Sequence, residues 1–238
     1  MRRRIERLGL AMVAMAALGA VMASGAAANF DAHNSSVTIH GEQPTENQFE
    51  YTFESGSTSC EVAQFHSLSE PTVTGTQSFP VDKGDGWHTS ETITGETILE
   101  GCANSLLGAM NFKMNDCDSE LKANGAIVNG TRTGTKQIIC HAGGKIEIVR
   151  AEGTNPCTIT IGEQTVGGVT YHNENEATGD KAIIVTTNIT GIKYTQDGVF
   201  CPGNGFQSEK TFENGTWTGE FTLEGTNEVG DQVPLQVT

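Results

Sequence analysis

In Asp82-Lys83-Gly84-Asp85-Gly86-Trp87-His88, two carboxylates sit beside flexible glycines and an aromatic ring. Oxygen ligands placed like this could hold Ca²⁺, and Trp87 could lie against a sugar ring. An EF-hand loop needs acidic residues at positions one, three and five before its glycine. Here they stand at one and four, which also fits an ordinary hairpin turn. Asp82, Asp85 and Trp87 are therefore the candidate ligand-binding residues, for carbohydrate or Ca²⁺, and no other cofactor is indicated. His172-Asn173-Glu174-Asn175-Glu176, followed by Gly179-Asp180, is similarly rich in oxygen and reads as a polar loop.

Cysteine chemistry is the next possibility. Cys60, Cys102, Cys117, Cys140, Cys157 and Cys201 are even in number, and the shortest spacing, Cys102 to Cys117, leaves fourteen residues between. Zinc sites want close pairs such as C-x2-C, and a redox motif wants C-x-x-C; neither occurs. Three structural disulfides are expected. Closing each inner hairpin locally gives Cys102–Cys117 and Cys140–Cys157, which leaves Cys60–Cys201. A second alignment sets Ile93-Thr94-Gly95 before Cys102 against Ile189-Thr190-Gly191 before Cys201, and suggests Cys60–Cys102 with Cys157–Cys201.

No catalytic residue can be nominated. There is no G-x-S-x-G elbow, no H-E-x-x-H and no phosphate loop. Gly203-Asn204-Gly205 lacks the third glycine and following helix of a dinucleotide site. His33, His40, His66, His88, His141 and His172 are scattered. A carboxylate pair for glycoside hydrolysis is set by the fold rather than by spacing, so no pair stands out. Asn34, Asn129, Asn188 and Asn214 begin N-x-[ST] triplets, which matter only in a host that glycosylates.

The elements that must position these groups are strands. Aromatics alternate with polar residues through Phe49-Glu50-Tyr51-Thr52-Phe53, and apolar residues alternate through Met110 to Met114, Lys145 to Ile148 and Thr158 to Ile161. The same period places Trp217, Phe221 and Leu223 on one face, which makes Trp217 a core residue. Thr, Val and Ile are abundant, and 29 glycines punctuate the runs. Past the leader no sustained helical period occurs, and only Ala103 to Ala109 could form a helical turn. The expected fold is all-β, an antiparallel β-sandwich of one large or two similar small units, stapled by disulfides.

Arg2, Arg3, Arg4 and Arg7 precede an apolar run from Leu8 to Met22 that ends in Ala26-Ala27-Ala28. The run is shorter than the ~20 residues of a membrane span, and the pattern is that of a bacterial signal peptide over residues 1–28. Two β-rich halves, 29–124 and 125–238, follow, with a soft boundary at Gly125 to Gly134. Removing the leader takes away four arginines and Glu6, so the formal charge moves from −15 to −18. Such a surface repels nucleic-acid phosphates and anionic lipid heads, so neither nucleic acid nor membrane is an expected partner.

The run Cys157-Thr158-Ile159-Thr160-Ile161, then Ile189-Thr190-Gly191-Ile192-Lys193-Tyr194, Cys201 and Gly215-Thr216-Trp217-Thr218-Gly219, carries a resemblance. From Gly101-Cys102 onward the chain resembles exported, β-rich, disulfide-containing proteins of unknown function that occur in multiple copies in soil actinobacteria. Where that group often has an aromatic before its Gly-Cys pair and another just after the next cysteine, this chain has Ile98-Leu99-Glu100 and Asp118-Ser119. The resemblance implies the fold and the export, and brings no activity, cofactor or catalytic residue. The expectation is thus a non-enzymatic protein, secreted or at the cell surface, that touches cell envelope or an extracellular polymer. Its alternatives are a carbohydrate- or Ca²⁺-binding module and a hydrolase without a recognisable motif.

Overall fold

The computed structural model describes residues 29–44, 48–71, 73–151, 156–174 and 182–238. The expected leader, 1–28, and Asn175 to Asp180 of the polar loop lie outside the described residues.

The chain is all-β and antiparallel. β1 (Phe30–Ala32) precedes β2 (Ser36–Glu42) with β3 (Phe49–Phe53), then β4 (Gly56–Cys60) with β5 (Val62–Glu70). Four short strands follow: β6 (Val73–Thr74), β7 (Thr76–Ser78), β8 (Val81–Asp82) and β9 (His88–Ser90). Next come β10 (Thr92–Glu100) with β11 (Cys102–Asn104), and β12 (Gly108–Lys113) with β13 (Cys117–Val128). The second half holds β14 (Thr131–Cys140) with β15 (Ile146–Arg150), β16 (Thr158–Ile161) with β17 (Gln164–Glu174), and two unbroken strands, β18 (Ala182–Asp197) and β19 (Glu209–Thr226). β20 (Gln232–Val233) and β21 (Leu235–Val237) end the chain.

The strands named in pairs are single staves, each broken once near its middle. The first stave meets the second through β3–β4 and β2–β5. The second meets the third through β5–β10 and β4–β11, and the third meets the fourth through β11–β12 and β10–β13. The fourth, fifth and sixth staves are joined by β13–β14, β12–β15, β15–β16 and β14–β17. β18 takes β17 along its first half and β16 along its second. β19 pairs with β18, then with β3 and β2, which returns the ladder to its first stave. The antiparallel layers therefore face each other across a core, as the period-two pattern requires, and are joined at both edges into an up-and-down ring of eight staves. Closure pairs the last stave with the first.

An eight-stave ring is just wide enough for side chains to fill it. Phe49, Tyr51, Phe65, Ile138, Ile148, Ile159, Tyr171, Ile183, Val185, Tyr194 and Leu223 are buried. Glycines make the room: a Cβ on Gly95 would meet the Phe65 ring, and one on Gly134 the Tyr171 ring. Trp217, Phe221 and Leu223 are all buried, as their shared face predicts. At one end β21, β1, β9 and β8 form a separate four-stranded sheet. It closes that end: Phe30 meets Tyr171 edge-on at 5.2 Å, and Asn173 exchanges two hydrogen bonds with Val237, 2.7 and 3.0 Å. The buried Asp31 of this sheet accepts from Lys83 Nζ at 2.8 Å.

Two expectations need correction. The disulfides are Cys60–Cys102, Cys117–Cys140 and Cys157–Cys201, not Cys102–Cys117, Cys140–Cys157 and Cys60–Cys201. Cys117 and Cys140 are direct cross-strand partners, with Cα atoms 4.0 Å apart. Cys157 instead lies opposite Arg150, accepting its N–H at 3.4 Å, so roughly 13 Å of strand plus a turn separates it from Cys140. Cys102 pairs with Met110, which leaves Cys117 far along the fourth stave. The short segments between cysteines looked like hairpins, but two of them contain the break within a stave. The second alignment had its two pairs right. Ala103 to Ala109 is likewise no helical turn: it is the β11–β12 hairpin, in which Asn104 Oδ1 accepts from Leu106 N and Leu107 N, both 2.9 Å. The Gly125 to Gly134 region is the β13–β14 hairpin, and staves from both sides of it enter the one ring.

Candidate functional site

The ring is not laddered all the way round. Between the third and fourth staves, β10 pairs with β13 from Thr92 to Gly95, and β11 pairs with β12 from Cys102 to Asn104. Residues 96–101 and 111–118 have no rungs between them. Both staves break here, at Gly101 (φ 62°) and at Asn115 and Asp116 (φ 45° and 60°), so each turns away from the other. On their far sides they remain paired, with β5 and with β14 and β15. Two disulfides reinforce those outer pairings: Cys60–Cys102 ties the third stave back to the second, and Cys117–Cys140 ties the fourth to the fifth. The seam is held open from both sides.

A cleft of about 440 Å³ fills the seam. Glu96, Glu100, Asp116 and Asp118 stand along it, and Leu99, Phe112 and Met114 make its floor. Asp118 is buried and pairs with His141 Nε2 at 2.8 Å; the other three carboxylates make no salt bridge among the described residues. Unpaired carboxylates over an apolar floor favour a neutral or cationic group with an apolar body.

Behind that floor lies a second cavity, of about 20 Å³, enough for one water-sized group. Thr97, Leu99, Phe112 and Met114 line both the cleft and the inner cavity. The inner cavity is otherwise walled by Tyr51, Ile138, Ile146, Ile161, Ile192, Trp217 and Lys136. Lys136 is there because β14 turns Arg132, Gly134, Lys136 and Ile138 inward and threonines outward. Its residue exposure is 4%, and its Nζ lies 3.3 Å from the centroid of the Trp217 ring. Among the described residues no acceptor reaches Lys136 Nζ or Tyr51 Oη, and Trp217 Nε1 is buried without a partner.

Burial drives the Lys136 amine well below the usual lysine range and the Tyr51 phenol well above the usual tyrosine range. Desolvation pushes Lys136 toward its neutral form, and the contact with the Trp217 ring opposes it. Tyr51 stays protonated. The lumen therefore holds one buried amine, biased by desolvation toward its neutral form, and two donors with no protein acceptor.

The residues nominated from sequence lie elsewhere. Asp82, Asp85 and Trp87 come together in the β8–β9 hairpin of the end sheet, but each carboxylate is engaged by that turn. Asp82 Oδ1 accepts from Gly84 N at 2.7 Å and Asp85 Oδ1 from Trp87 N at 3.1 Å. The Trp87 ring rests against His33 at 4.0 Å. The other histidines are dispersed: His40 faces His66 on the outer wall at 5.3 Å, His141 holds Asp118, and His172 contacts Gly130 O. Among the described residues no three His, Cys, Asp or Glu side chains gather as a metal site would need. Sequence reasoning missed Lys136, Tyr51 and the seam. The threonines at 131, 133 and 135 were the available signal, since a polar outward face forces Arg132 and Lys136 inward. The chain matches no family model, no curated protein and no solved structure.

Proposed function

We propose that this is an exported, non-enzymatic protein of the extracellular space that binds a small ligand in the cleft between Glu96–Glu100 and Phe112–Asp118. The observation that carries the reading is the seam itself: a stretch without rungs between the third and fourth staves, flanked by two disulfides and rimmed by unpaired carboxylates over an apolar floor. Export is supported by the Arg-rich leader, by the three disulfides and by the likeness to exported actinobacterial proteins. Among the described residues no helix is long and apolar enough to cross a membrane. The ligand class follows from the lining: an apolar, flat or branched body with a neutral or cationic end. The carbohydrate- or Ca²⁺-binding alternative rests on Asp82, Asp85 and Trp87, where one oxygen of each carboxylate accepts from its own turn and the Trp87 ring lies against His33.

The test is titration of the mature chain with 2-phenylethylammonium, 2-phenylethanol and phenylacetate, three probes of one shape and different charge. A Trp87→Phe background leaves Trp217 as the fluorescent reporter. The cation is expected to bind at least ~10-fold more tightly than the anion, and the preference to fall when Glu96, Glu100 and Asp116 are changed to amides. Equal binding of all three, or a preference that survives those changes, would sink the cleft as the seat.

A further inference from the structure

We propose that the ε-amine of Lys136 captures a small aldehyde entering through the seam, holding it as an imine. The inference deepens the binding reading and rests on it, because the cleft and the cavity that holds the amine share Thr97, Leu99, Phe112 and Met114. Lys136 projects into a cavity large enough for a carbonyl group and too small for a whole ligand. The body of the aldehyde would therefore lie in the 440 Å³ cleft, with its carbonyl passing between Leu99, Phe112 and Met114. Met114 is the natural gate, since an unbranched thioether side chain repacks readily.

Charge selects the ligand class. A buried ammonium would call for an anion, but Glu96, Glu100 and Asp116 stand over the entrance and repel one. A neutral electrophile satisfies both the carboxylate entrance and an amine that burial biases toward its neutral form. The reaction balances without any further reagent. The nitrogen lone pair adds to the carbonyl carbon and a proton passes from nitrogen to oxygen, giving a carbinolamine. The C–O bond then breaks with loss of one water, and the C=N bond forms; nothing is oxidised or reduced. Tyr51 Oη and Trp217 Nε1, both lacking a protein acceptor, line the space where the oxygen would be held. Desolvated lysines in apolar pockets are the kind that form Schiff bases.

The experiment uses the mature chain, pentanal as the probe and cyanoborohydride at pH 7 to fix any imine, followed by peptide mapping. Exposed Lys193 and Lys210 serve as internal standards. Lys136 is expected to be modified at least ~10-fold faster than either, and Met114→Trp, which plugs the gate, to slow Lys136 without changing Lys193. Modification of Lys136 only after unfolding in guanidinium, a rate no greater than that of Lys193, or indifference to the plug would each overturn the proposal. Titrating the same samples with 2-phenylethylammonium separates the two ideas. Cation binding without Lys136 labelling overturns the imine alone, whereas loss of both removes the cleft reading as well.

Discussion

Two seams on opposite sides of the ring behave in opposite ways. Along β18–β19 the ladder runs from Ile183–Leu223 to Asp197–Glu209 on unbroken strands, with only bulges near Gly191 and Gly215. Across the ring, the third and fourth staves lose their rungs between Gly95–Ser119 and Cys102–Met110. Both pairs carry glycines and alternating apolar residues, so composition does not separate them. What differs is where a positive φ falls. Gly191 alone takes one on its stave and the register recovers beside it, whereas Gly101, Asn115 and Asp116 turn two facing staves apart at one level. Opening a wall requires coincident breaks and something to hold them. The cysteines supply it, with two of three disulfides flanking the open seam and the third fastening the loop at the end of β18.

Removing the staples gives the largest expected effect. Loop-closure entropy assigns about 4 kcal/mol to Cys60–Cys102 and to Cys157–Cys201, and about 3 kcal/mol to Cys117–Cys140. Denaturant unfolding of the double-Ala variants should return losses of that order. The comparison is sharpened by binding: loss of either seam staple should weaken 2-phenylethylammonium at the cleft, and loss of Cys157–Cys201, at least as costly to stability, should leave it unchanged. Equal binding losses from all three would show that the seam needs no staple of its own.

Lys136→Met comes next. An apolar side chain of similar length removes a buried amine that has no acceptor, so stability at pH 7 should rise by about 1–3 kcal/mol. The pH dependence has a definite sign. With the folded pKa depressed, the unfolded chain binds the extra proton between that pKa and about 10.4, so wild-type stability climbs with pH across this window. The advantage of Lys136→Met should therefore shrink toward pH 10. Above that, Tyr51, Tyr171 and Tyr194, all pushed up by burial, favour the folded neutral forms over an unfolded chain that ionises, and wild-type and variant should lose stability together. Urea titrations from pH 7 to 10 check this, and an advantage independent of pH would mean that the native amine is charged.

Gly101→Ala acts on one edge of the seam. The φ of 62° strains any L side chain, and the new Cβ would meet Glu61. A loss of about 1 kcal/mol is expected, together with weaker cation binding because Glu100 moves with its neighbour. Gly191→Ala, at φ 77° on the closed side with nothing closer than 3.9 Å, should cost a similar amount and leave binding alone. If the two variants bind alike, the seam tolerates more movement than its staples suggest.

Local pattern carries the strands and little of the ring. Phe49 to Phe53 and Ile146 to Ile148 alternate cleanly because one face of each is buried in the lumen. Closure is non-local: six of the eight staves are interrupted at mid-height, so the halves of each look like two short strands with a turn between. Gly143-Gly144 and Gly162 are turn residues by type, yet the chain continues in the same direction past them. Disulfide pairing went astray for the same reason, since Cys140 and Cys157 lie at different heights of adjacent staves. Lys136 was hidden differently. A lysine on a strand is expected outside, and only the filled lumen, with Ile138 beside it and Thr135 facing away, reverses that expectation.

The smallest effect is expected at the β8–β9 hairpin, where sequence placed the site. Asp82→Ala and Asp85→Ala each remove one exposed hydrogen bond to the turn backbone, worth about 0.5–1 kcal/mol, and Trp87→Ala removes a ring lying on His33. Lys83, between them, donates to the buried Asp31 and so ties the hairpin to the end sheet whatever the tip carries. All three variants should unfold within about 1 kcal/mol of wild type and bind 2-phenylethylammonium unchanged. If Trp87→Ala instead abolished retention on insoluble polysaccharide while the cleft bound nothing, the hairpin would be the working surface and the seam only a feature of how this ring closes. The same residues thus decide between a chain that presents its chemistry on an end turn and one that keeps it behind its wall.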